Sequence, residues 1–219
     1  MRRFLKTAAA IGMAALFTTG CLLKETSETW YVNGAGEVLW VVTEKDVRSD
    51  ARADADRRAE ENEYWLAVQQ QRHPIAAGLQ EIGGTKVRTL VLRGEAPFTV
   101  QTDARFTGLD ELGRRLLAAI GAIGASVVTR DGPTWEWTLV MRDPSALTSV
   151  TEPSPNVNAL ITDMDSLRVV LSRGRFSAAE GFSLSSDGRV AELTWQDEPA
   201  GNRPEAPTMT LRLVWKLEE

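Results

Sequence analysis

Apolar residues recur at every second position in run after run of this chain, and turn-forming residues separate the runs. Trp30 and Val32 alternate on one arm of a hairpin, and Val38, Trp40 and Val42 on the other. Asn33-Gly34-Ala35-Gly36 turns between them. Asparagine and glycine tolerate the positive φ that such turns need. A period of two sends successive side chains to opposite faces of a sheet, so each run predicts a strand with one buried face. Phe98, Val100, Thr102, Ala104 and Phe106 alternate with Thr99, Gln101, Asp103 and Arg105. Trp135, Trp137, Leu139 and Met141 alternate with Glu136, Thr138 and Arg142. Met209, Leu211, Leu213, Trp215 and Leu217 alternate with Thr208, Thr210, Arg212 and Lys216. Val87 to Leu92 is apolar on both faces and reads as a central strand. Leu167 to Leu171 adds another, and Asp187-Gly188 turns a further hairpin.

Helical spacing is confined to three stretches. Charged residues dominate Glu44 to Glu63, with Ala51, Ala55 and Ala59 four apart as a thin apolar stripe. Asp54 and Arg58 are spaced to pair there. Tyr64, Trp65, Leu66 and Val68 predict deeper burial of the later turns. Pro74 opens a short helix through Ile82 that Gly83-Gly84 stops. Leu109 to Ile120 is amphipathic, with Leu112, Leu116, Leu117 and Ile120 inward. The apolar stretch Leu116 to Val128 is too short to span a membrane, which takes about 20 residues, and reads as a buried helix running into a strand. The predicted fold class is α+β, a mostly antiparallel β-sheet of about nine or ten strands with three helices packed on one face. No βαβ alternation or glycine fingerprint indicates a doubly wound fold.

The first twenty residues follow a different logic. Arg2, Arg3 and Lys6 make a basic opening, Thr7 to Phe17 an apolar middle, and Thr18-Thr19-Gly20 a small-residue approach to Cys21. That is the layout of a secretory signal, with a cysteine where a lipobox has one, although Thr18 stands where that motif usually has leucine. Residues 1–20 are therefore expected to be a lipoprotein signal peptide, cut before Cys21, with acyl chains on Cys21 tethering the chain to a membrane. Leu22, rather than aspartate, follows the cysteine, and the expected location is the bacterial cell envelope, outer membrane over inner. Beyond the signal, residues 21–143 read as an α+β region. Residues 144–165, with Pro144, Pro153 and Pro155, read as a linker or long loop. Residues 166–219 read as a β-rich region packed with 21–143 as one domain.

Composition narrows the functions. Cleavage before Cys21 removes Arg2, Arg3 and Lys6 from the 25 basic residues and none of the 30 acidic ones, taking the formal charge from −5 to −8. Such a surface repels phosphate backbones, so nucleic acid is not an expected partner. It also lacks the polybasic patch that supports electrostatic membrane binding. Cys21 is the one cysteine, so no internal disulfide forms. A mature chain of about 199 residues buries enough surface without one.

Candidate chemistry is sparse. His73 is the one histidine; it precedes Pro74 at a helix junction and reads as a junction residue, since a triad or zinc site needs partners in place. No serine lies in a G-x-S-x-G elbow. Asp163 and Asp165 have a spacing compatible with calcium ligation, but the rest of an EF-hand loop is missing, and they read as capping residues. Arg173 and Arg175 flank Gly174 and could hold an anionic headgroup or simply guard a strand edge. The tryptophan-rich strands could line a lipid cavity or fill a core. No catalytic residue, metal ligand or cofactor is predicted, and no ligand-binding residue is identified.

Several of these features together resemble the LppM-type bacterial lipoproteins. The cysteine is followed by a hairpin of the form V-x-x-x-G-E-V, Val32 to Val38. Downstream come Leu167-Arg168-Val169-Val170-Leu171, Gly174, Gly181, Asp187-Gly188-Arg189 and Leu193-Thr194-Trp195. The resemblance implies a membrane-tethered α+β ectodomain that binds lipid-like ligands, with no catalysis to carry over. Two departures stand out. Ser172-Arg173 replaces a proline expected near Gly174, and an apolar C-terminal span is absent at Leu217-Glu218-Glu219. The expected function is a lipid-anchored, non-enzymatic envelope ectodomain binding a hydrophobic ligand or an envelope protein. A carboxylate-dependent hydrolase of envelope polymers is one alternative. A structural subunit docking through a charged helix from Asp46 to Glu63, Arg57 and Arg58 included, is the other.

Overall fold

The alternation of Trp30 with Val32 and of Trp40 with Val42 builds the central ribbon. In the computed structural model, which describes residues 21–142, 154–162, 166–193 and 208–217, β1 (Leu22–Val32) and β2 (Val38–Ser49) pair antiparallel, with Trp30 opposite Trp40 and Val32 opposite Val38. The Asn33 carboxamide oxygen accepts from the N–H groups of Ala35 and Glu37 at 2.9 and 3.0 Å and closes the turn. Gly36 sits at φ 85°, in the left-handed region that glycine enters without a Cβ clash.

The chain continues through α1 (Asp54–Gln69), α2 (Pro74–Glu81), β3 (Thr85–Arg93), β4 (Phe98–Phe106) and α3 (Leu109–Ala119). A hairpin of β5 (Ile123–Asp131) and β6 (Thr134–Arg142) follows, then α4 (Pro155–Thr162) and β7 (Ser166–Leu171). It ends with β8 (Arg175–Glu180), β9 (Phe182–Leu184), β10 (Val190–Leu193) and β11 (Thr208–Lys216). The fold is mixed α+β and mostly strand. Seven strands form one sheet in the order β3-β4-β2-β1-β7-β10-β9, and four form a second in the order β5-β6-β11-β8.

This corrects three expectations. There are eleven strands and two sheets among the described residues, not one sheet of nine or ten strands. The larger sheet is mixed, because β7 pairs parallel to β1 from Ser27↔Ser166 to Val32↔Leu171. Four helices are described, not three. The fourth, α4, lies inside the segment read as linker or loop, whose residues 144–153 and 163–165 fall outside the described residues. The helices therefore do not simply cover one face of one sheet. The inward faces of both sheets close on a shared core into which α2 sends Ile75 and Leu79, α3 Leu112 and Leu117, and α4 Val157 and Leu160. Strands from residues 166–216 enter both sheets beside strands from residues 22–142.

The run Val87 to Leu92 is not central. It lies in β3 at the edge of the large sheet, where Leu90, Val91 and Leu92 are exposed. Arg88 Nε donates from this strand to both carboxylate oxygens of Asp103, at 2.9 and 2.6 Å. Lys86, Arg88 and Arg93 supply the charges that discourage further edge pairing. The charged segment is likewise only partly helical: β2 runs on to Ser49 through a bulge between Glu44 and Val47, and α1 starts at Asp54. Its buried face is Tyr64 and Val68, while Ala55 and Ala59 are exposed. The Asp54 carboxylate accepts from the Arg57 guanidinium, whereas Arg58 Nε donates to the Asp54 backbone carbonyl.

Tryptophans join the two layers. Trp137 of β6 meets Trp30 of β1 edge-on with ring centroids 6.0 Å apart, and Trp30 meets Trp40 at 5.4 Å. Such pairs contribute about 0.5–1.5 kcal/mol beyond the area they bury. The Trp137 indole N–H also donates to Ser126 Oγ at 2.9 Å. Trp137 has no exposed surface, whereas Leu92 is 59% exposed. Trp137→Ala is therefore expected to lower unfolding free energy by about 3–5 kcal/mol in urea titration. Leu92→Ala should stay within about 0.5 kcal/mol of wild type, and a large loss there would restore the central placement of β3.

Candidate functional site

Period two, carried past the tryptophans, turns two acidic side chains inward. On β1 the inward residues are Thr26, Glu28, Trp30 and Val32; on β2 they are Val38, Trp40, Val42 and Glu44. The register sets Thr26 opposite Glu44 and Glu28 opposite Val42, so the two glutamates are diagonal neighbours on one face of the ribbon. Both are essentially without solvent exposure. Burying a carboxylate is costly unless charge and hydrogen bonds compensate, and the two side chains meet this cost differently.

Glu44 is held by three other elements. Lys24 Nζ from β1 donates to Oε1 at 2.8 Å, and the Tyr64 hydroxyl from α1 donates to Oε2 at 3.4 Å. His73 Nε2 lies 3.0 Å from Oε2. His73 is placed by the start of α2: it is the N-cap residue, in extended conformation, with Pro74 in the first turn. Its ring packs edge-on against that of Tyr64, centroids 5.3 Å apart. Burial alone would raise the Glu44 carboxyl. The His73 hydrogen bond and charge, with Lys24 behind them, outweigh burial and hold it below the usual carboxylate range. Burial, and then the charge and hydrogen bond of Glu44, push the Tyr64 phenol far above its ordinary value.

Glu28 lacks such help. Neither of its oxygens has a hydrogen-bond partner within the described residues. Burial pushes it well above the usual range, and the nearby Trp40 indole, outside hydrogen-bond geometry, offsets this only in part. The ribbon thus carries two carboxyls shifted in opposite directions, the arrangement from which acid–base pairs are built. Neither lines either of the two surface clefts described. One, of about 500 Å³, is lined by Lys24, Glu25, Thr26, Ser27, Lys45 and Ser166, beside the point where β7 begins its pairing with β1 at Ser27. The other, of about 180 Å³, lies at the opposite end of the ribbon, against Gly36, Gly108, Asp110, Trp135 and Trp215.

The residues singled out from sequence are scattered. Cys21 is exposed immediately before β1. Its N–H donates to Asp50 Oδ1 at 2.6 Å, and its carbonyl accepts from the Asp50 N–H at 3.1 Å. Arg173 and Arg175 are exposed on either side of the Gly174 turn. Asp163 and Asp165 lie outside the described residues. His73 is a junction residue, as expected, but a buried one paired with a carboxylate. Sequence reasoning missed Glu28, Glu44, Lys24 and Tyr64. The signal for the glutamates was parity: Glu28 and Glu44 continue the inward positions of the two recognised arms, beyond Trp30 and Val42, although Glu44 reads from sequence as the opening of the charged helical stretch. Among the described residues no cluster of His, Cys, Asp and Glu side chains is arranged to hold a metal.

The opposed shifts have opposed consequences for stability. A carboxyl lowered in the folded state stabilises above the usual carboxylate range and loses that contribution as pH falls through its folded value. One that is raised stabilises in acid and loses its contribution as pH rises toward its folded value. In denaturant titrations across pH, Glu28→Gln is therefore expected to gain on wild type as pH rises above the usual carboxylate range. Glu44→Ala should cost about 3 kcal/mol at neutral pH, with the cost shrinking in acid. Parallel pH profiles for wild type and both variants would contradict the assignment.

No family model and no curated protein matches the sequence. The structure is similar to the NMR structure of the folded domain of LppM from Mycobacterium tuberculosis, with 13% identity and a TM-score of 0.39 over 95% of this chain and 97% of that one.

Proposed function

We propose that the chain is a lipid-anchored ectodomain of the bacterial envelope, tethered through acyl chains on Cys21 and acting by binding rather than catalysis. The observation that carries this reading is the junction at Cys21. A basic opening, an apolar segment and small residues lead to the one cysteine of the sequence. That cysteine is exposed and joins β1 with no residue between. More than one acyl chain makes such an anchor stable, because a single myristoyl-sized chain binds only marginally. Leu22 after the cysteine favours the outer membrane in this reading.

An envelope protein fits as partner better than an engulfed lipid does. The tryptophans that could have lined a lipid cavity, Trp30, Trp40, Trp137 and Trp215, are buried in the core, where Trp30 packs against Trp40 and Trp137. The wider cleft is lined by polar residues. Exposed Leu90, Val91 and Leu92 on β3, with Ile123 and Val127 on β5, leave apolar side chains on two edge strands, where a flat protein surface could pack. The opposed carboxyls of Glu28 and Glu44 favour a second reading, carboxylate-dependent hydrolysis. It is the weaker one, since both side chains are closed off from the clefts.

Metabolic labelling with a clickable palmitate analogue tests the anchor. Wild-type protein is expected to incorporate label and to fractionate with membranes, and a Cys21→Ser variant to do neither. Equal incorporation by the two would remove the anchor and the location with it.

A further inference from the structure

The proposed anchor deepens into an orientation, because the structure leaves no slack between Cys21 and the fold. Resting on the acylation of Cys21, we infer that the Cys21 end of the β1–β2 ribbon is a membrane-contacting surface, and that the Asn33–Gly36 hairpin stands away from the bilayer. The partner of this surface is the lipid bilayer itself.

Three observations carry the inference. Cys21 is bonded to Asp50 on both sides of its backbone, at 2.6 and 3.1 Å. Whether its nitrogen is an amine or an acylated amide, it retains an N–H for the Asp50 carboxylate. Leu22 and Leu23 then enter the sheet at once, opposite Ser49 and Arg48. A leash of several flexible residues would let the domain tumble, and here its length is zero. Second, Leu22 and Leu23 are 37 and 45% exposed although they are leucines at the start of a long strand. With acyl chains on the preceding residue they lie at the headgroup boundary, where apolar side chains gain by insertion. Third, β1 spans 11 residues, about 36 Å at the rise of an extended strand. Its far end is the Asn33–Gly36 turn. The Ser185–Gly188 turn lies at that end too, since β7 runs parallel to β1 and the Leu171 N–H bonds the Arg189 carbonyl.

Charge does not drive this contact. Arg48 and Arg52 stand beside Asp46, Asp50 and Asp54, so the end carries no basic excess, and attraction to anionic lipid is weak there. Anchor geometry and leucine insertion set the orientation, which is expected to be insensitive to salt. The smaller cleft, lined by Ala35 and Gly36 among others, is turned away from the membrane, toward proteins in the surrounding compartment.

The test uses full-length protein purified from membranes and reconstituted in phosphatidylethanolamine/phosphatidylglycerol vesicles that contain a nitroxide-headgroup lipid. A thiol-reactive fluorophore is placed at Arg48→Cys or Arg52→Cys near the anchor, and at Ala35→Cys or Ser186→Cys at the far end; all four positions are exposed. Two positions at each end guard against one variant failing to fold. The inference predicts strong quenching at Arg48→Cys and Arg52→Cys and little at Ala35→Cys and Ser186→Cys, unchanged by salt. A flexible Gly/Ser insertion between Cys21 and Leu22 should erase the difference. Equal quenching at both ends in acylated protein overturns the orientation and leaves the anchor standing. Free Cys21 that takes up the fluorophore overturns the anchor, and the orientation falls with it.

Discussion

Trp30 lies opposite Trp40 because β1 and β2 pair in a register that a one-residue slip would invert. In the slipped state Glu25, Ser27, Thr29 and Tyr31 would turn into the core. The observed register puts Val32 and Val38 under the turn and Trp30 against Trp137 of the second sheet. It also places Cys21 beside Asp50. The outer edge of β1 then receives β7 and that of β2 receives β4, so the seven-stranded sheet grows from this ribbon in both directions. The core, the buried carboxyls and the seating of Cys21 against Asp50 are consequences of one pairing.

Glu44 shows what that pairing demands elsewhere. An inward carboxylate needs compensation, and Lys24, Tyr64 and His73 come from β1, α1 and α2 to provide it. The bonds join α1 and α2 to the ribbon at one point and fix how the helices sit on the sheet. Such a buried cluster is a poor source of net stability, because desolvation offsets much of the attraction. Its effect is to select one arrangement, since another register or helix placement would strand the charge. Glu28 gains no comparable partner and is favoured in the neutral form, where its burial costs least.

Much of the strand pattern was legible, and the failures have physical causes. Alternation identified both arms of the first hairpin, β4, β6 and β11, because each has one buried face. The same alternation points Glu28 and Glu44 inward, but acidic residues are taken as outward-facing unless a partner is visible. His73 and Tyr64 lie too far along the chain to be recognised as partners. The parallel pairing of β1 with β7 has no local signature, since the two strands are more than a hundred residues apart and neither pattern encodes its neighbour. β3 misled through its apolar run: Leu90, Val91 and Leu92 are at an edge, where Lys86, Arg88 and Arg93 are the informative residues. α4 was hidden by prolines, yet Ser154-Pro155 is a helix start. Ser154 Oγ accepts from the Val157 N–H at 3.2 Å, and Pro155 occupies the first helical position.

The proposed orientation requires β1 to be rigid from its first residue, since only a firm strand would turn the proposed lipid anchor into a fixed pose. Amide hydrogen exchange, followed residue by residue, measures this most directly. The account predicts that hydrogen-bonded amides between Leu22 and Glu25 are protected to a degree approaching those around Trp30 and Trp40. Rapid exchange through Leu22 to Glu25, with protection beginning only near Trp30, would mean a flexible leash and contradict it.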